Sequence, residues 1–271
     1  MSARRLAQTS TWVAWCARTV MGFLVIPTLI IVPLSFNGDQ YLHFPPRNLS
    51  LRWYQNFWAS PDWLDAARMS FVIAIAVTIL AVPLGTAAAL ALSRLRFRGK
   101  SLVFGLMLSP LMVPVVVLAL ALYFYFSTLH LVGSWAAIVL GQTILAFPFV
   151  LVNVHASLQG YPVTLERAAR TLGAGPLTIF FRVTLPIIRP GVMAGALFAF
   201  MVSFDEIVIA LFLASPGATT MPVKMWLSMQ FSINPTIAAV STMVTGLSVA
   251  LFLAMAWARR RTTRRRTAPV T

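Results

Sequence analysis

The chain has 271 residues, of which 59% are hydrophobic and 10% charged, with 21 Lys and Arg against 6 Asp and Glu. Those fractions exclude a water-soluble globular domain and make the bilayer the solvent to reason with. The formal charge of +15 does not describe a nucleic-acid-binding face, because the basic residues stand in short blocks between apolar runs, which is the pattern of membrane topology.

Six runs have the roughly 20 mainly apolar residues that a transmembrane helix needs: 12–36, 69–93, 102–126, 135–154, 191–214 and 237–258. Lipid offers no partner to an unpaired backbone, so the runs are expected to be helices, and the absence of period-2 alternation excludes a barrel. The predicted class is an all-α integral membrane protein, one transmembrane domain over 1–271 with six spans. Arg4 and Arg5 precede the first run, but its apolar part is too long for a signal peptide and no small-residue cleavage pattern follows, so it is read as an uncleaved span. It contains Cys16, the single cysteine, which leaves no intrachain disulfide or thiol pair.

The connection 37–68 carries Trp53, Tyr54, Phe57, Trp58 and Trp63. It is read as a short interfacial helix with Ser50 as N-cap, or as a plain aromatic belt anchoring the spans. When alternate connections are assigned to opposite sides, 17 of the 21 cations fall together: Arg4, Arg5 and Arg18; Arg94, Arg96, Arg98 and Lys100; Arg167, Arg170, Arg182 and Arg189; and six arginines within 259–266. The positive-inside rule makes that side, with both termini, cytoplasmic. The last cluster also suits anionic lipid headgroups. Among the span prolines Pro27, Pro33, Pro83, Pro110, Pro114 and Pro148, the closely spaced Pro110 and Pro114 are those expected to open local backbone.

The loop 155–190 is too long for a turn. From Thr164 it reads TLERAARTLGAGP, with Thr164 as a candidate cap, Leu165, Ala168, Ala169 and Leu172 at helical spacing, and Gly173 as the stop. Residues 179–186 form a second helical piece, expected to be closed by Pro186 and Pro190 before the fifth span. That span holds Asp205 and Glu206, the acids found inside a predicted span, and an intramembrane carboxylate is by default a functional hypothesis. Contact with a cationic solute is one reading; a carboxylate held by neighbouring helices is the other. No phosphate-binding GxxxxGK[ST] loop is present, so this chain is not expected to bind ATP, and His43, His130 and His155 are too scattered for a metal motif.

At these residues the chain resembles the permease subunits of type I ABC importers, whose signature is E-A-A, three residues, G, nine residues, I-x-L-P. Here Ala168 and Ala169 precede Gly173 with the right spacing, and nine residues later stands Val183-Thr184-Leu185-Pro186. Arg167 occupies the signature's glutamate position and Glu166 lies one place earlier, about 100° away around a helix. Leu51-Arg52-Trp53-Tyr54, the stretch from Arg94 to Lys100 and Ser203-Phe204-Asp205-Glu206 resemble the spermidine/putrescine branch, and within it the second permease of the pair. The resemblance implies the type I importer transmembrane fold in a bacterial inner membrane. It also implies a homologous permease partner, two cytoplasmic ATPase subunits holding ATP and magnesium, and an extracytoplasmic solute-binding protein. It assigns the ATPase contact to Leu165, Glu166, Arg167, Ala168, Ala169, Leu172, Gly173, Leu185 and Pro186; Asp205 and Glu206 are read as substrate-pathway residues because they are acids inside a span. A polyamine-type cation is the expected solute; an opine, an amino-acid derivative or a thiamine-like cation stays open, as does an ATPase-independent transporter or channel.

Overall fold

In a computed structural model of the chain, residues 3–41, 43–231 and 235–266 are described, with side chains over 12–41, 43–230 and 235–257. The side chains of Arg4, Arg5 and the arginines of 259–266 lie outside the described residues, and with them the lipid-headgroup expectation. Every regular element described is helical, and the one β-bridge joins Asn37 to Leu49. Among the described residues five helices are long and apolar enough to cross a membrane, and a bent helix pair makes six when counted as one span. The chain gathers into two compact units, Met1–Pro61 with Met225–Leu247, and Asp62–Lys224 with Ser248–Thr271.

In the first unit, α1 (Ala3–Ser35) runs through Pro27 and Pro33 without breaking. None of its most apolar window is buried within the chain, so lipid or another protein must cover Trp12, Phe23, Leu24 and Leu29, all exposed. The chain then folds back through α2 (Arg52–Ala59). Trp53 Nε1 donates to the Asn37 carbonyl at 2.6 Å, Tyr54 OH and Ser35 Oγ are 2.6 Å apart, and Ser50 N donates to the Phe36 carbonyl. Ser50 Oγ accepts from Arg52 N at 3.1 Å, but the N-cap is Leu51, one residue later than expected. Trp53 and Phe57 are buried and Trp58 is exposed, so this helix packs its aromatics more than it displays them.

The second unit is built around α6 (Trp135–Gln159), the most buried span at 56% of its apolar window. Ser134 caps it, its hydroxyl accepting from Ala137 N. On α6 pack α3 (Pro61–Arg94) and α9 (Leu185–Phe204), and the contact is made by glycine. A Cβ added at Gly85 would lie 2.6 Å from Val150 Cβ, and one at Gly195 would lie 2.9 Å from Val150 Cα. One at Gly191 would strike Ser157 Oγ and stand 2.7 Å from the Asn153 carbonyl oxygen. Gly191 and Gly195 form a G-x-x-x-G pair, the small-residue stripe that lets membrane helices approach backbone to backbone. The core is completed by Ile73, Val77, Ile138, Leu151, Val154 and Ile188, all nearly inaccessible.

The third span is broken. α4 (Lys100–Leu108) and a 3-10 turn (Ser109–Leu111) meet α5 (Val115–Thr128) at 94°. Pro110 and Pro114 supply the reason, since neither has an N–H to continue the ladder. The fifth span departs from expectation at both ends. A continuous helical path begins at Pro176 and runs through α8 (Pro176–Ile179), a π turn (Phe180–Thr184) and α9. Pro186 and Pro190 therefore lie inside the helix instead of closing a separate piece. The π turn explains the first: Leu185 N bonds back to the Phe180 carbonyl, and the wider turn relieves the crowding that a proline ring otherwise imposes. At its other end the span stops at Phe204 and resumes as α10 (Val208–Leu213), followed by α11 (Met221–Phe231) and α12 (Thr236–Arg266).

Gly85→Ala and Gly195→Ala are each expected to destabilise the folded permease by about 1–3 kcal/mol, the usual cost of overpacking. Gly105→Ala, where a Cβ meets nothing within 4 Å, is expected to be neutral. Thermal unfolding in detergent checks this, and combining Gly85→Ala with Val150→Ala should recover part of the loss.

Candidate functional site

α7 (Thr164–Thr171) is a two-turn helix that the sequence marks at both ends, and the structure keeps one mark and replaces the other. Thr164 makes no cap; the first N–H groups turn back instead, with Leu165 N on the Pro162 carbonyl and Glu166 N on the Val163 carbonyl, both at 3.1 Å. The C-terminus closes at Gly173, whose φ of +82° suits a residue without Cβ. Ala174 N bonds to the Ala169 carbonyl at 3.0 Å and Gly173 N to the Arg170 carbonyl at 2.9 Å, the paired bonds of a Schellman motif.

One side of α7 is fastened by Glu166, which is buried. Arg94, at the end of α3, pairs with Glu166 Oε1 at 2.5 Å, and Thr184 Oγ1 donates to the same oxygen at 2.9 Å. Because the Thr184 proton is used there, Tyr161 OH donates to Thr184 Oγ1 across 3.3 Å. The Arg94 guanidinium also lies 4.9 Å from the centre of the Tyr161 ring. Burial pushes the Glu166 carboxyl up, but the hydrogen bonds from Arg94 and Thr184 and the Arg94 charge outweigh it, so the group titrates below its usual range. Burial pushes the Tyr161 hydroxyl up, which keeps it a donor. Beside this network, Ser93 Oγ and His155 Nδ1 are 3.3 Å apart and the His155 ring rests on Phe104 at 5.2 Å. Arg94 of α3 and Thr184 of the π turn thus meet at α7, while α3, α4 and α6 meet at Ser93, Phe104 and His155.

The opposite side of α7 is open. Leu165, Arg167, Ala168, Leu172 and Gly173 are exposed and Ala169 is partly so. Leu185 is half-buried and Pro186 exposed at the start of α9. Glu166 and Arg167 therefore have separate surroundings, one inside and one outside. Sequence reasoning gave Arg94, Tyr161 and Thr184 no part in this site: Arg94 stood as a topological charge and in a stretch of family likeness, and Thr184 in the signature. A signal existed: a lone acid in a basic loop is costly to bury unless some cation joins it.

The second cluster lies where the fifth span breaks. Glu206 is buried and accepts four hydrogen bonds: Val208 N and Ile209 N on Oε1 at 2.8 Å each, Ala210 N on Oε2 at 3.0 Å, and Gln142 Nε2 on Oε2 at 3.2 Å. Gln142 is oriented in turn by Ser203 Oγ, which donates to its Oε1 at 2.6 Å. Asp205 points the other way: it is exposed, and among the described residues nothing donates to its carboxylate. Phe204 is buried against Phe71 and Phe200, ring centres 5.0 and 5.6 Å away. Among the described residues no three metal-ligating side chains gather.

Comparison with known proteins adds what geometry alone does not supply. The spermidine/putrescine transport system permease protein PotC of Escherichia coli (strain K12) is 30% identical over 236 residues, 87% of this chain and 89% of that protein. The putrescine transport system permease protein PotI of the same strain is 35% identical over 243 residues, 87% and 85% of the two chains. A chain in the crystal structure of a bacterial alginate ABC transporter, in complex with its alginate pentasaccharide-bound periplasmic protein, has the same fold, with TM-score 0.67 at 14% identity over 98% of this chain and 99% of that one. A family model covers residues 81–264, a stretch that includes both clusters. The chain belongs to the family described as the binding-protein-dependent transport system inner membrane component, the multi-pass permease subunits of ABC importers.

Proposed function

We propose that this permease forms half of the translocation pathway for a small cationic, polyamine-type solute, with α7 as the dock for a separate cytoplasmic ATPase and Asp205 on the pathway. The family work is transport and not catalysis; the fuel, ATP with magnesium, belongs on the partner ATPase subunits. A homologous permease, two such ATPases and an extracytoplasmic binding protein complete the importer. The observation that carries the dock is the two-sided nature of α7: its only acid is locked inward on Arg94 while its apolar and basic residues face out. The cytoplasmic placement follows from 17 cations on that side. The cationic solute is supported by Asp205, a carboxylate open to its surroundings at an interrupted span, which lipid does not tolerate and a water-filled path does, and by relatives named for spermidine and putrescine.

The exposed charges of α7 are Arg167 and Arg170, so the groove that receives it is acidic. Arg167→Glu is expected to weaken co-purification of the ATPase, and binding should fall as salt rises. Stronger co-purification would mean a basic groove. Gly173→Val has to place a β-branched residue at positive φ and should give a folded permease that hydrolyses ATP without uptake, or one that fails to recruit the ATPase. The reading as a whole is tested in proteoliposomes holding the complete importer. Spermidine uptake should require the binding protein and the ATPase chain, and ATP hydrolysis by this chain alone would overturn it.

The Glu166 anchor has a pH signature. A carboxyl that titrates below its usual range when folded stabilises the loop at pH above that range, and the contribution is lost as pH falls through the lowered value. Glu166→Gln should cost about 1–3 kcal/mol through the half-buried Arg94 left without its counter-charge. It should also abolish the acid-side change in hydrogen exchange across 164–173, a change the unaltered protein is expected to show.

A further inference from the structure

At a break in a helix two ends of opposite sign meet: the carbonyl end of the first segment is partly negative and the N–H end of the second partly positive. A pathway passing such a break sees whichever end is left uncovered. Here the ends are α9, stopping at Phe204, and α10, starting at Val208. The first helical bond of α10 runs from Leu211 N to the Ile207 carbonyl, so Val208, Ile209 and Ala210 carry its unpaired N–H groups. All three donate to Glu206. The positive end is therefore covered by a full negative charge, and Gln142, fixed by Ser203, holds that charge in place. The negative end has no such cover. Asp205 is the capping residue of α9, with its N–H used on the Met201 and Ser203 carbonyls and its carboxylate exposed and, among the described residues, unpartnered.

We propose that Glu206 is a positioning residue that neutralises the N-terminal end of α10 and leaves Asp205 as the uncompensated charge at the break, so that the break favours a cationic solute. This rests on the cationic-solute reading above and assigns different work to the two neighbouring acids. Asp205 meets the solute. Glu206 does not; buried and holding four donors, it keeps the N-terminal end of α10 from opposing the Asp205 charge. With Glu206 neutral, the exposed end of α10 would offset the Asp205 charge nearby, and the attraction for a cation would fall even though no solute contact had been removed.

The test uses the complete importer in proteoliposomes with radiolabelled spermidine as probe, and compares Asp205→Asn, Glu206→Gln, Glu206→Asp and the double variant D205N/E206Q. Glu206→Gln keeps the shape and one acceptor but loses the charge; Glu206→Asp keeps the charge and can still reach the N–H groups two and three residues on. Asp205→Asn and Glu206→Gln should each lower the maximal uptake rate roughly tenfold, the size of an unbalanced helix end in a partly buried site. The half-saturating concentration, set by the binding protein, should not move. Glu206→Asp should stay within about threefold of the unaltered importer, and the double variant should be slower than either single variant, because the uncovered end of α10 then opposes the cation with no Asp205 charge against it. Unchanged uptake in Glu206→Gln, a double variant no slower than Asp205→Asn alone, equal damage by Glu206→Asp, or failure of Glu206→Gln to assemble would each overturn the inference while leaving the cationic-solute reading in place. An unaltered importer that takes up no spermidine would overturn that reading, and the inference with it.

Discussion

Val150 of α6 lies between Gly85 of α3 and Gly195 of α9, with no room for a side-chain carbon at either glycine. In lipid there is little hydrophobic gain in bringing helices together, because the acyl chains are as apolar as leucine, so association rests on close packing and hydrogen bonds. Three helices that touch at glycine supply that packing. Their ends are then fixed relative to one another, and both functional clusters are assembled from those ends. Arg94 is the last residue of α3 and Thr184 immediately precedes α9; Gln142 lies on α6 and Ser203 in the last turn of α9.

Two buried carboxylates apply the same solution at opposite ends of this three-helix unit. Glu166 and Glu206 each accept several hydrogen bonds, one from a guanidinium and a hydroxyl, the other from three backbone N–H groups and an amide. Burial of a charge is tolerable only with such partners. Each fastens a short helix, α7 or α10, that has too few turns to be stable by itself. The residues beside them, Arg167 and Asp205, differ by one position in sequence and by a full change of environment. Buried acid and exposed neighbour together form a repeated unit: one residue holds the element, the next is displayed.

The breaks share a logic as well. Backbone left unpaired within a membrane has to be satisfied by protein or water. At 109–114 the two prolines remove donors and a 3-10 turn takes up part of the remainder. At 205–207 no proline is present, and the side chain of Glu206 takes the donors instead. A long helix that stays continuous through Pro186 and Pro190 shows that proline does not dictate a break when a π turn precedes it.

Composition and periodicity by themselves determined the membrane class, most of the apolar runs, the weak point at Pro110 and Pro114, the short helix at 164–171 and its stop at Gly173, because each rests on local chemistry: apolar length, a missing N–H, a missing Cβ. The G-x-x-x-G pair at Gly191 and Gly195 was also written there, although what it touches was not. Tertiary structure alone decided the directions in which the acids point. Nothing local distinguishes Glu166 from Arg167 as the inward residue until Arg94, 72 positions away, is brought beside it. Likewise, nothing local separates Glu206 from Asp205 until Gln142, 64 positions away, and the restart of the helix at Val208 claim one carboxylate and leave the other. Which charge is covered depends on partners distant in sequence, and the packing of α3, α6 and α9 sets where those partners stand.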